Sequence, residues 1–186
     1  MKLTLTHSIV LSALLLSGCI TEPIATRAEI QQSQTITFEH ITEPQLMAAI
    51  QQLFILADPT DIVMEEGAHV VEITRSIQSG YFTLLENWRF DMQADMDAMR
   101  LQVAAQLNWM LGDTVTPRNA YYYELVARRL RYLLGEPGAE WETCEAFYQR
   151  TGLDRTLREH SFLCIFADDN APTISQPIGL AVGSSH

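Results

Sequence analysis

Side chains able to do chemistry are few in this chain of 186 residues, and most can be tested by their spacing. The sequence has no GxSxG, SxxK or HExxH pattern, so the common activated-serine and zinc-hydrolase arrangements are absent. Lys2 is the single lysine, which removes a P-loop lysine or a Schiff-base lysine from the body of the chain. Three histidines lie in the body: His40 with Glu39 and Glu43 nearby, His69 after Glu65 and Glu66, and His160 beside Arg158 and Glu159. On strands and turns these spacings do not converge on a metal. Asp91, Asp95 and Asp97 suggest calcium by composition, but no glycine and distal glutamate accompany them as in an EF-hand loop. They read as the solvated side of a strand. No metal and no cofactor are expected.

One surface stands out in so acidic a chain. Tyr121, Tyr122 and Tyr123 open a helical stretch, and Arg128, Arg129 and Arg131 close it. Tyrosine and arginine are common interface anchors, so Tyr121, Arg128, Arg129 and Arg131 form the candidate docking surface, for a protein or for an anionic ligand of the envelope. A purely structural reading competes with it. Cations in the last turns suit the helix dipole, and Glu124 stands four residues before Arg128.

The start of the chain bears on location. Lys2 precedes an apolar run over residues 9–16, which Gly18, Cys19, Thr21, Glu22 and Pro23 then interrupt. A membrane-spanning helix needs about 20 apolar residues, and this run is far shorter. A basic start, an apolar centre and small residues have the layout of a secretory signal. Its ending, Leu16-Ser17-Gly18-Cys19, resembles the lipobox of bacterial lipoproteins. The resemblance covers only the first nineteen residues. It implies a diacylglyceryl group on the Cys19 sulfur, cleavage after Gly18, and acylation of the new Cys19 amine. Several acyl chains anchor far better than one, at roughly 0.8 kcal/mol per buried CH₂. Residue 20 is Ile rather than the Asp that tends to retain enteric lipoproteins in the inner membrane, so the resemblance leans to the outer membrane, facing the periplasm.

Processing changes two counts. Loss of Lys2 takes the formal charge from −11 to −12, with all 23 acids retained. That balance disfavours nucleic acid and broad contact with anionic head groups. With Cys19 lipidated, Cys144 and Cys164 remain as an even pair in an oxidising compartment, and a disulfide is expected between them. Two separate buried thiols are the alternative.

The elements that must position these groups follow from period and caps. Residues 1–18 are expected to be the signal peptide, 19–34 the lipidated N-terminus and tether, 35–167 one domain and 168–186 a flexible tail. Residues 35–41 alternate as a strand. Thr42, Pro44 and Gln45 then open a helix through Ala57, with Leu46, Ile50, Leu53, Phe54 and Ala57 on one face. Residues 62–77 read as two strands about a turn at Glu66-Gly67. Residues 88–96 and 99–109 each carry an apolar side chain at every second position, the period of a strand with one buried face. A hairpin centred on Met96-Asp97 sets Ala94 opposite Met99, Met92 opposite Leu101, Phe90 opposite Val103 and Trp88 opposite Ala105. Because Met-Asp suits a two-residue turn poorly, a four-residue loop over 95–98 is the easier chemistry. Asn119 is placed to cap a helix over 120–134, and Gly135 to end it. A second helix is expected over 140–150 and a further segment over 153–166.

The fold class is therefore α+β: an antiparallel sheet with one apolar face covered by helices, the C-terminal segments joined by a disulfide. The functional expectation is a lipid-anchored, non-catalytic adaptor, assembly or stability factor that binds another envelope protein. A small-molecule or glycan module using a cleft between sheet and helices is the alternative. An envelope hydrolase with an unrecognised carboxylate pair is weaker still.

Overall fold

Alternation decides the centre of the molecule. In the computed structural model, which describes residues 26–57, 62–79, 82–109, 114–115, 120–153 and 163–164, the long strands are β4 (Phe82–Asp95) and β5 (Ala98–Trp109). Trp88, Phe90 and Met92 on β4, with Met99, Leu101, Val103 and Ala105 on β5, are buried on one face. Their register is the expected one: Ala94 pairs Met99, Met92 pairs Leu101, Phe90 pairs Val103 and Trp88 pairs Ala105. The loop is tighter than chemistry alone suggested. Asp95 pairs Ala98, leaving Met96 and Asp97 as a two-residue turn in which Met96 takes φ +51°. A positive φ at the first central position alone is the type II′ pattern. The twist of the two long strands imposes that turn on a poor residue for it.

Around this hairpin the sheet grows on both sides. β3 (Val70–Ser79) pairs with β4, and β2 (Ile62–Gly67) with β3. β1 (Thr35–Glu39) lies along the other edge of β5, next to the short β6 (Thr114–Val115). Every pairing is antiparallel, in the order β1-β5-β4-β3-β2. The β2–β3 turn falls at Ala68 and His69, two residues later than Glu66-Gly67, because Gly67 still pairs with Val70. His69 absorbs the turn with φ +64°.

The described helices lie on the apolar face. In α2 (Glu43–Ala57) Leu46, Ile50, Leu53 and Phe54 of the expected stripe are at 0% exposure, with Ala49 beside them; the side chain of Ala57 lies outside the described residues. Gln45 Oε1 accepts from the Thr42 amide at 2.8 Å, half of the expected capping box. Phe54 meets Trp88 and Phe90 edge-on, at centroid distances of 5.6 and 5.7 Å. These rings fill the space between helix and sheet around Phe54. Such side chains each contribute about 1.5–3 kcal/mol on burial. The opposite face is polar: Thr74 bonds Asn87, Thr35 bonds Gln102, and Arg89 holds both Glu72 and Asp91.

Part of the span expected to be a tether, 19–34, is folded. Thr26 and Glu29 form a full capping box that starts α1 (Arg27–Ser33), and Ile30 packs against the core. Gln34 then donates to the Tyr123 hydroxyl at 3.1 Å, and its carbonyl accepts from the Val103 amide at 2.8 Å. The folded unit thus begins at least nine residues before 35. Cys19 and the spans expected to be the signal peptide (1–18) and the tail (168–186) lie outside the described residues. No helix among the described residues is long and apolar enough to cross a membrane.

The last helices are α3 (Tyr121–Leu134) and α4 (Cys144–Thr151). Gly135 ends α3 in the left-handed conformation, φ +75°, as its position predicts. Ala120, not Asn119, is the N-cap of α3; Asn119 lies outside the described residues. Thr143 caps α4 by accepting from the Ala146 amide at 3.1 Å, so this helix starts four residues after position 140. Cys144 is joined to Cys164 by a disulfide. Of the segment expected over 153–166, only 153 and 163–164 are described.

Candidate functional site

The polar side of α3 is where the sequence placed its docking surface, and helical geometry divides the named residues. Positions 122, 125, 126, 129, 130 and 133 form the buried stripe, so Glu124, Ala127, Arg128 and Arg131 fall on the opposite side. Arg128 is the most outward, with its side chain 55% exposed and Glu142 3.6 Å away. Arg131 is half-buried. It holds both oxygens of Glu136, at 2.7 and 2.6 Å. It also donates to the Thr37 carbonyl at 3.1 Å and stacks on Phe38 at 5.3 Å. It therefore ties α3 to β1 as well as facing outward. Tyr121 is half-buried beneath the Arg150 guanidinium, 5.8 Å from its ring centre.

Arg129 does not belong to this surface. Its side chain is 1% exposed and turned into the protein, because residue 129 continues the stripe of 122, 126 and 133. It donates to the Glu142 carbonyl at 3.0 Å and to Cys144 Sγ at 3.3 Å, with its guanidinium 4.6 Å from the Trp141 ring centre.

Between α3 and the turn after it lies a depression of about 450 Å³, lined by Glu124, Ala127, Arg128, Arg131, Gly138, Ala139 and Glu140. Its charges are mixed. Arg150 reaches in from α4 and takes up Glu142 at 2.7 Å and Glu124 at 3.0 Å. Glu142 is thereby held chiefly by Arg150, which leaves Arg128 the cation most open to an incoming anion. A second depression, about 280 Å³, sits on the outer sheet face against Glu72, Thr74, Asn87, Arg89 and Gln106.

The other titratable candidates are accounted for locally. His69 Nδ1 lies 2.8 Å from Glu43 on the surface. His40 closes β1 at φ +57° and its amide donates to the Asp97 carbonyl. Asp91 and Asp95 are held by Arg89 and Arg100. Among the described residues no three of His, Cys, Asp or Glu gather as metal ligands. His160 lies outside those residues.

One buried polar cluster escaped the sequence reading. Arg75 on β3 and Glu86 on β4 are cross-strand partners on the inner face, both at 0% exposure. Arg75 Nε donates to Glu86 Oε2 at 2.5 Å, and Trp88 Nε1 donates to Oε1 at 2.8 Å. Burial pushes the Glu86 carboxyl up to about 7, against the pull of Arg75 and the hydrogen bonds from Trp88 and Arg75. A signal was present: extending the alternation of Trp88, Phe90 and Met92 one step back puts Glu86 inside. Neither charged side chain of the pair is exposed.

No family model matches the chain, and no curated protein matches it. Among solved structures, the chain is similar to a DUF4468 family protein from Bacteroides ovatus ATCC 8483, at 9% identity and a TM-score of 0.28, over 63% of this chain and 75% of that one. Likeness at that level supports no transfer of function.

Proposed function

We propose that the protein is a lipid-anchored adaptor or assembly factor of the bacterial envelope, held by acyl chains on Cys19 and engaging another envelope protein through the outer side of α3. The observation that carries this reading is the depression beside α3, where Arg128 stands half out of the surface and is only loosely engaged by Glu142. Tyr121, Arg128 and Arg131 remain as the docking residues; Arg129 supports the fold beneath them. The rest of the plan agrees: a single layer of helices on one sheet face, a buried ion pair, and a sequence carrying a lipobox-like start. The outer membrane, facing the periplasm, is the proposed address.

Co-purification from membranes tests it. The Arg128→Ala/Arg131→Ala variant should lose a partner that the parent retains, while keeping its circular dichroism. Equal recovery of that partner would remove α3 from the proposal. For the anchor, Cys19→Ala should abolish acyl labelling and leave an unprocessed precursor; labelling that persists would defeat it.

A second reading rests on the outer sheet depression, whose amide, hydroxyl and charged side chains could hydrogen-bond a small polar ligand or glycan. Asn87→Ala and Gln106→Ala would separate it from the first, since neither residue lies near α3.

A further inference from the structure

The Cys144–Cys164 bridge is asymmetric in ways that bear on its reactivity. Cys144 is the first residue of α4, directly after the Thr143 cap, so its sulfur sits where the helix amides and dipole favour negative charge. From α3 the buried Arg129 places Nη2 3.3 Å from the same sulfur. That guanidinium is fixed in place by the Glu142 carbonyl and the Trp141 ring. Cys144 is 6% exposed, whereas Cys164 is only partly buried at the rim of the core. Nothing comparable to Arg129 stands at Cys164 among the described residues. The nearby carboxylates do not cancel the effect at Cys144. Glu142 offers Arg129 its carbonyl and turns its carboxylate to Arg150 and Arg128. Glu145, the next residue of α4, is exposed and accepts from Gln149. Glu140 is exposed, and Leu163 beside Cys164 is apolar.

We infer that this bridge is a thiol-exchange site, at which an external dithiol attacks Cys164 and Cys144 departs as a thiolate held by Arg129. In the first step the attacking thiolate sulfur forms a new S–S bond to Cys164 Sγ. The Cys144–Cys164 bond breaks and its electron pair leaves on Cys144 Sγ. In the second step the other thiol of the reagent, as thiolate, resolves the mixed disulfide, and the electron pair passes to Cys164 Sγ, which takes a proton. The dithiol is oxidised to its own disulfide and the protein is reduced by two electrons. Exchange is faster when the leaving thiolate is the more stable one, and a cation that stabilises the reduced form raises the reduction potential. Reduction uncouples residues 163–164 from the start of α4. The inference is independent of the docking reading, since it concerns the buried side of α3.

The test uses the full chain carrying Cys19→Ser, equilibrated in reduced and oxidised dithiothreitol and read by alkylation and mass. Arg129→Met should shift the equilibrium at least tenfold toward the disulfide, about 30 mV for a two-electron couple, and Arg129→Lys should shift it less. A change within twofold for Arg129→Met would overturn the inference. A second measurement leaves Arg129 untouched. With Cys19→Ser and Cys164→Ser, Cys144 is the sole thiol, and its thiolate absorbance near 240 nm should titrate below the ordinary cysteine value of about 8.5. Titration at or above that value would overturn it even if Arg129 variants fail to fold. Brief exposure of the bridged protein to glutathione should place the mixed disulfide on Cys164; adducts on Cys144 count against the mechanism.

Discussion

Glu86→Gln preserves the shape of the side chain and fixes it in a neutral form, so it is expected to abolish a fall in stability that the parent shows between about pH 5 and 7. The amide oxygen can still accept from Trp88 Nε1, so the difference is electrostatic. Arg75 and Glu86 are both at 0% exposure, and burial opposes the ionised carboxyl more than Arg75 favours it. Relative to the parent, the variant should gain about 2 kcal/mol between pH 5 and pH 7. Adding Arg75→Met removes both charges, and replacing both partners of a buried pair is often close to neutral. The pair also sets a pH dependence with a definite sign. Burial raises the Glu86 carboxyl from 4.5 to about 7 in the folded protein. Its contribution is therefore complete below pH 4.5 and is lost as pH rises toward 7, by about 3 kcal/mol in total at about 1.4 kcal/mol per unit. In Arg75→Met alone, the main influence holding the carboxyl down is removed, so the decline should extend to higher pH. Urea unfolding at pH 5, 6, 7 and 8, followed by circular dichroism, measures all four members of the cycle. Subtracting the double variant isolates Glu86 from other titrating groups. A Glu86→Gln variant whose stability falls as steeply as the parent's between pH 5 and 7 would refute the reasoning, as would a difference curve that rises between pH 5 and 7.

Met96 is 99% exposed and held at positive φ, so Met96→Gly should stabilise by about 1 kcal/mol in urea unfolding. Gly135→Ala, at φ +75°, should destabilise by about 1 kcal/mol in the same assay. Phe54→Ala removes the ring that meets both Trp88 and Phe90 and should cost about 3–5 kcal/mol, with a changed tryptophan emission. Thr26→Ala removes the cap of α1; about 1 kcal/mol of local stability should disappear, seen as faster hydrogen exchange at the Ile30 and Gln34 amides.

The hairpin of β4 and β5 was legible because strand period is local. Once alternate residues of two neighbouring runs are apolar, a turn centred on Met96-Asp97 sets apolar against apolar, and that register is observed. The α2 stripe was legible for the same reason at a helical period. α1 was missed because seven residues give too few turns for a stripe; Thr26 and Glu29, three apart, were the readable sign. The β2–β3 turn was misplaced by two residues because a glycine draws the eye to a turn, whereas pairing carried on through Gly67 to a histidine that accepts the positive φ.

By itself, then, the amino-acid order determined the sheet's apolar face, the helix limits marked by Thr42 and Gly135, the pairing of Cys144 with Cys164, and a start resembling a lipoprotein signal. These follow from periodicity, caps and residue counts, which need no knowledge of distant neighbours. Tertiary structure alone decided the fate of the charged side chains. Arg128 and Arg131 stay on the open side of α3, while Arg129, between them in sequence, is turned under Trp141 onto a disulfide sulfur. Arg75 and Glu86 enter the core together because strand pairing sets them face to face. A buried charge is tolerable only where a specific partner meets it at hydrogen-bond distance, and that condition is met by the packing of remote segments.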